Sequence, residues 1–275
     1  MLTSFRPVPR QIVIAVSMVF SLVHAADGDD RPHPNVSQAD VMRGLVEQLG
    51  SDQYVVRCRA EEALIRLGVA AFDVLKAAEH HDDAEIVARA TYLTRLIDIP
   101  WTSDGDPADI RTILGSYAGL GYQERLKRIL ALVSLTGHVG TAPLCRIVRF
   151  EHSPVLAKMA ALSILESQHS SSGLAEPTSD LGAAVRRELG ASRRPAARWL
   201  RALVLASESP QEALPLWTGL VEEERRELAQ HPARSRSEFV LTLMRAEVEM
   251  LQQLGRGDEA VAVMIQMVEI DGHSG

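Results

Sequence analysis

Aromatic residues make up only 4% of this chain, lysine occurs only at Lys76, Lys127 and Lys158, and cysteine only at Cys58 and Cys145. With few rings available, a core in a chain that is 46% hydrophobic must be built from Ala, Leu, Val, Ile and Met. Most of these tolerate a helix well. The scarcity of lysine leaves arginine as nearly all of the positive charge, and acids exceed bases, 36 to 29, for a formal net charge of −7. That balance excludes a general attraction to nucleic acid or to anionic lipid. Cys58 and Cys145 each sit inside an apolar helical pattern, where a lone thiol serves as a small hydrophobe. A Cys58–Cys145 disulfide is the alternative, and it matters because the chain looks exported. Also missing are alternating strand patterns and Asn-Gly hairpin signals, which removes β architectures. The glycines of GSYAGLGY (115–122) follow no strand and precede no Lys-Ser/Thr, so they make no phosphate loop. No Ser-His-Asp spacing supports a nucleophilic triad.

One apolar run stands out, from Ile12 to Leu22. It follows a basic segment carrying Arg6 and Arg10, and it precedes Val23 and Ala25 at small-residue cleavage positions. This three-part layout is that of a secretory signal peptide, and the run is too short to span a bilayer comfortably. Residues 1–25 are therefore expected to be a signal peptide cleaved near Ala25. The rest would be periplasmic or extracellular, with no membrane span after cleavage. Residues 26–37, which contain DGDDRPHPN, read as a flexible linker.

Everything beyond reads as helix. Ser51 and Asp52 are placed to cap a helix ending at Gly68. Asp106-Pro107 and Ser153-Pro154 put a capping side chain before a proline at the first helical position. Ser209 with Glu212, and Ser235 with Glu238, have the spacing of a capping box. Gly50, Gly137, Gly190 and Gly255 fall where further helices should end. Between these limits the apolar residues step by three and four, as in Val56, Ala60, Ala63, Leu64 and Leu67, or Phe239, Leu243, Ala246, Met250 and Leu254.

The helices echo one another. In DQYVVRCRAEEAL, DDAEIVARATYL and SPVLAKMAALSIL, the residues Val56, Ile86 and Leu156 are equivalent, and Ala60, Ala90 and Ala160 follow one turn later. The run Ala63–Ala78 echoes Ala131–Val148 as helix end, glycine and second apolar helix. On LIRLG, the short second helix and the Asp-led DDAEIVARA, residues from about 51 to 168 resemble HEAT-type repeats. Arg57 and Arg89 loosely match the arginine of that pattern, and Lys158 is the nearest base in the third copy. A polar break, QHSSSGLAEPTSD, then intervenes. AEVEMLQQLGRGDEAVAVMIQMVEID resembles a tetratricopeptide repeat at Ala246, Leu251, Leu254, Gly255, Asp258, Glu259, Ala260 and Ile270. A weaker relative, 199–224, matches Ala213 to Ala260, although these lie further apart than the family's repeat of about 34 residues. The resemblance implies an all-α solenoid, a superhelix of stacked antiparallel helix pairs. Its parts would be 38–168 (HEAT-like), a linker at 169–179, and 180–275 (tetratricopeptide-like).

Three features could carry chemistry. The first is AEHHDD, 78–83. Adjacent helical residues point about 100° apart, so His80 and His81 cannot share a metal from one regular helix, and a chelating pair wants a spacing of three or four. A corner, with Asp82 capping the next helix, explains the stretch. Yet Glu-His recurs at Glu151-His152, and some HEAT-like hydroxylases hold two irons on paired His-Glu dyads. His80 and His152 are thus the metal candidates, with the dyad order reversed here. The second is an arginine cluster, Arg186, Arg187, Arg193, Arg194, Arg198 and Arg201, broken by a single acid, Glu188. Arg187, Arg194, Arg198 and Arg201 are its partner-binding candidates for an acidic peptide or anionic glycan, unless they are a solvated face paired with EEERRE (222–227). The third is the last helix, where AVAVMIQMV is apolar nearly all round. A terminal repeat normally carries a polar outer face, so Val261, Met264 and Ile265 point to self-association or a partner. Trp101 is expected to cover one end of the first stack. The reading that emerges is a non-catalytic exported scaffold for a protein or peptide partner, without cofactor or nucleic acid. A metal-dependent enzyme on the Glu-His corners, or polyanion binding through the arginines, is the alternative.

Overall fold

The structure, a computed structural model, describes residues 37–135, 139–172 and 179–272. The expected signal peptide, Gly137 and the centre of the polar break lie outside those residues. The chain divides between Val41 and Met42, and the residues from Met42 onward form one compact unit. Ahead of that point, Ser37 caps the start of the helix that follows: the Asp40 amide donates to Ser37 Oγ at 3.2 Å and the Ser37 hydroxyl to Asp40 Oδ2 at 2.7 Å.

Helices follow one another without a strand among the described residues. They are α1 (Gln38–Gln48), α2 (Tyr54–Leu67), α3 (Phe72–Ala78), α4 (Ala84–Leu96), α5 (Ala108–Leu114), α6 (Tyr122–Val133) and α7 (Thr141–Phe150). Then come α8 (Pro154–Ser172), α9 (Ser179–Glu188), α10 (Pro195–Glu208), α11 (Pro210–Gln230), α12 (Ser237–Gln253) and α13 (Gly257–Gly272). Chain neighbours pair: α3 with α4, α7 with α8, α10 with α11, α11 with α12, α12 with α13. Contacts also reach beyond chain neighbours, as α2 meets α4, α7 meets α9, and α8 meets α10 and α12. This is the all-α, solenoid-like arrangement that the repeated spacing predicts.

The small residues of the repeated pattern are buried. Ala60, Ala90 and Ala160 are all completely buried, and Ile86 and Leu156 nearly so. One core joins α2, α3 and α4 through Leu64, Leu75 and Leu93. A larger one runs from Ile110 to Ala260, drawing on both sides of the polar break. Phe72, Ile99 and Phe150 form a third cluster, with the Phe72 and Phe150 rings edge to face at 5.0 Å. Trp101 does not simply cover an end: it packs against both the aromatic cluster and the large core, 4.6 Å from the Tyr117 ring.

Several expected caps are used differently. The α2 N-cap is Gln53, and the α5 N-cap is Pro107. Asp106 turns instead to Arg146, accepting at 2.7 and 3.1 Å. Asp83, not Asp82, caps α4, accepting from the Glu85 amide at 2.8 Å. Ser209 is the α11 N-cap but makes no side-chain cap bond. Arg236 occupies the α12 N-cap, while Ser235 donates to the buried Glu224. Gly68, Gly190 and Gly255 end helices with φ of 55°, 50° and 71°. Helix α8 runs to Ser172, past the expected end at 168, because QHSSS offers no helix breaker before Gly173.

Candidate functional site

The helix corners converge on an open groove of about 600 Å³. Helix α3 and the corner after it supply Asp73, Lys76, Glu79 and His80; the α8 start supplies His152, Pro154 and Lys158; the loop into α10 supplies Ser192, Arg193 and Arg194; and α11 with its following loop supplies Glu227 and Arg234. Two of the chain's three lysines are here, in a protein whose overall charge is negative.

Most of these charges are paired within the protein, and a few are free. Lys76 donates to Glu79 at 2.6 Å, and burial lowers its ammonium pKa although Glu79 pulls the other way. Asp73 accepts from Arg149 at 2.8 Å. Lys158 is almost completely buried and donates to Glu224 at 2.6 Å and to the Arg234 carbonyl at 3.0 Å. The Trp199 and Phe239 rings stand 5.9 and 6.0 Å from its ammonium. Arg194 donates through one nitrogen to the Val148 and Arg149 carbonyls at 3.3 and 2.9 Å, closing the C-terminus of α7. Burial pushes its pKa down to about 10 against the attraction of Glu151, Glu79 and Asp73, so it stays charged at neutral pH. The side chains of Arg193 and Arg234 have no protein partner among the described residues, and neither does Glu227. Ser192 is 2% exposed and its Oγ has no hydrogen-bond partner.

The two Glu-His corners are chemically different. His80 and His152 both line the groove. Glu151, however, is fully buried and already accepts from Tyr117 Oη at 2.8 Å, from Arg125 at 3.0 Å and from the Ser153 amide at 2.9 Å. Burial by the protein, then the Lys76 charge, lowers the His152 pKa below its usual 6.5, leaving the ring neutral at pH 7. His81 faces away from that chemistry: its Nδ1 accepts from the Asp83 amide at 3.0 Å, tightening the turn. Among the described residues no group of three or more His, Cys, Asp or Glu is placed to hold a metal.

The arginine cluster does not act as one surface. Arg193 and Arg194 enter the groove. Arg187 is exposed beside Glu188 at 2.9 Å. Arg198 grips Glu223 of the EEERRE run at 2.5 and 3.1 Å. Arg201 donates to the Gly190 carbonyl at 2.9 Å and also to that of Ser192, holding the loop before α10. Arg198 and Arg201 also edge a smaller hollow of about 210 Å³ against Leu205, Leu216 and Leu220.

Helix α13 has two apolar faces. Ala260, Val263, Met267 and Ile270 pack on the large core, while Val261, Met264, Ile265 and Val268 are exposed, Val268 by 73%. No helix among the described residues is long and apolar enough to cross a membrane. Cys58 and Cys145 are free thiols, Cys145 completely buried with its pKa pushed up to about 12 by that burial.

Sequence reasoning missed Ser192, Arg234 and Glu227 as groove residues. Nothing local marks them, because the groove is assembled from separated corners. Compared with known proteins, the chain matches no family model, no curated protein and no solved structure. Its helix-pair packing is compatible with a helical repeat protein in architecture.

Proposed function

We propose that this chain is an exported, non-catalytic repeat scaffold that binds a peptide or a protein segment in the groove. The observation that carries this reading is the groove's mixed lining. Unpaired Arg193, Arg234 and Glu227 line it together with apolar Ala77, Ala157 and Pro195. A polypeptide offers both charge signs, backbone polar groups and apolar side chains to such a surface. A polyanion would meet Glu227 and Glu79. The HEAT-like (about 51–168) and tetratricopeptide-like (about 180–271) readings of the helix pairs agree with a scaffold, and residues 1–25 are the ground for export. No nucleic acid partner and no cofactor is invoked. The exposed face of α13 is a second, separate surface, which we read as a self-association site.

Selection of a random peptide display library on the purified protein tests the groove. Enriched peptides should lose binding to an Arg193→Ala/Arg234→Ala variant. A library that yields no sequence above background rejects the reading. The rival is an enzyme using a metal held by His80 and His152. Glu151 argues against it, since its carboxylate is already occupied by three donors. Stoichiometric iron or zinc in untagged protein, lost in His80→Ala/His152→Ala, would put that rival in its place.

A further inference from the structure

We infer that the corner from Ser192 to Ala197 is an oxyanion anchor, which holds a carboxylate of the bound peptide. This rests on the peptide-binding reading above and names the chemistry at one end of the groove.

Helix α10 begins with Pro195 after an Arg194 N-cap that makes no side-chain cap bond. The first intrahelical bond runs from the Arg198 amide to the Arg194 carbonyl at 3.0 Å. The amides of Ala196 and Ala197 therefore have no helical acceptor, and Ala196 lines the groove. A helix start with free amides carries partial positive charge and favours an anion. A helix start alone would not define a site, but the same corner holds a second feature. Ser192 is all but completely buried, lines the groove, and has an unpartnered Oγ. A buried hydroxyl without a partner costs free energy that a ligand's acceptor would recover. Arg193 beside it is unpaired, and Arg194 spends only one nitrogen on α7. Guanidinium, hydroxyl and amide are all donors, so the complement is an acceptor-only group, an ionised oxyanion.

Carboxylate on a peptide fits better than sulfate on a glycan. No Phe, Tyr or Trp among the described residues lines the groove to stack on a sugar face, and Glu79 and Glu227, which line it too, would repel a chain of repeated negative charges. One acidic group at one end, followed by uncharged or basic residues, satisfies every margin.

Calorimetric titration of the purified protein tests this with four probes. They are a blocked peptide carrying a single Glu at one end followed by Ala and Leu, its Gln counterpart, inorganic phosphate, and a sulfated oligosaccharide. The Glu peptide should bind about tenfold or more tightly than the Gln peptide, as for charge-assisted over neutral hydrogen bonds. Phosphate should compete with it. Ser192→Ala and Arg193→Gln should each weaken the Glu peptide several-fold without touching the Gln peptide. Arg187→Gln, outside the groove, should change nothing. Ser192→Ala should also leave the thermal midpoint unchanged or raised, because the hydroxyl bonds nothing in the free protein; a fall would mark a structural role and overturn the assignment. Equal binding of both peptides removes the anchor and leaves the peptide groove standing. Binding of the oligosaccharide through Arg193 with neither peptide bound removes both.

Discussion

At the scale of single residues, the buried charges decide more than the surface ones. Arg146 is 4% exposed and satisfied by Asp106, by Glu188 at 3.2 Å and by the Trp101 carbonyl at 2.8 Å. Burial alone would raise the Asp106 pKa. The Arg146 hydrogen bonds and charge, with the Ser103 amide, outweigh it together and hold the carboxyl below its usual 3.8. A depressed carboxylate adds stability above the unfolded value and loses it as pH falls through the folded value. Asp106→Asn should therefore cost about 2 kcal/mol near neutral pH, since Arg146 keeps its other partners. The gap to the native protein should narrow in denaturant titrations below pH 3.8. The same residue shows where reading a sequence stops. Asp before Pro reads locally as a cap, and so does Ser235 three residues ahead of Glu238. Both side chains are instead spent on charges from other helices, Arg146 and Glu224, and no capping pattern encodes that exchange.

At the scale of helices the sequence is far more legible. Glycine ends, proline starts and the three-and-four apolar rhythm locate most boundaries, because they follow from backbone geometry that each segment carries by itself. The equivalence of Ala60, Ala90 and Ala160 is legible for the same reason: a repeat keeps its buried small residue at one position. Arg89 in α4 bonds Glu61 in α2 as well as Glu85 in its own helix, so the repeat arginine links neighbouring units. Enlarging the seam should be felt at once. Ala90→Leu should lower stability by about 1–3 kcal/mol through overpacking, while Ala88→Leu on the exposed face of the same helix should stay within about 0.5 kcal/mol of native. Equal midpoints for the two in chemical denaturation would show that α4 does not pack as described. What helix patterns cannot give is which corners face one groove: Lys76, His152, Arg193 and Arg234 meet only because the stack turns them together.

For the molecule as a whole, the groove and the far face of α13 make opposite demands on the solvent. Capture in the groove depends on charge and should weaken as salt screens it. The stripe Val261, Met264, Ile265 and Val268 repeats at intervals of three and four, the spacing by which one helix packs along another. Its apolar composition means that pairing there should persist in high salt. The same stripe on a second copy is its simplest complement, because a two-fold axis needs only one self-matching patch. Sedimentation equilibrium at micromolar concentration should therefore show a reversible dimer whose affinity barely changes between low and high salt. Ile265→Asp/Val268→Asp should return it to monomer while leaving peptide binding in the groove intact, as both residues are exposed and neither lines that groove. A native protein that sediments as a monomer across the concentration range would leave the stripe without a second copy as its partner. A dimer that survives the double substitution would place the contact elsewhere on the stack.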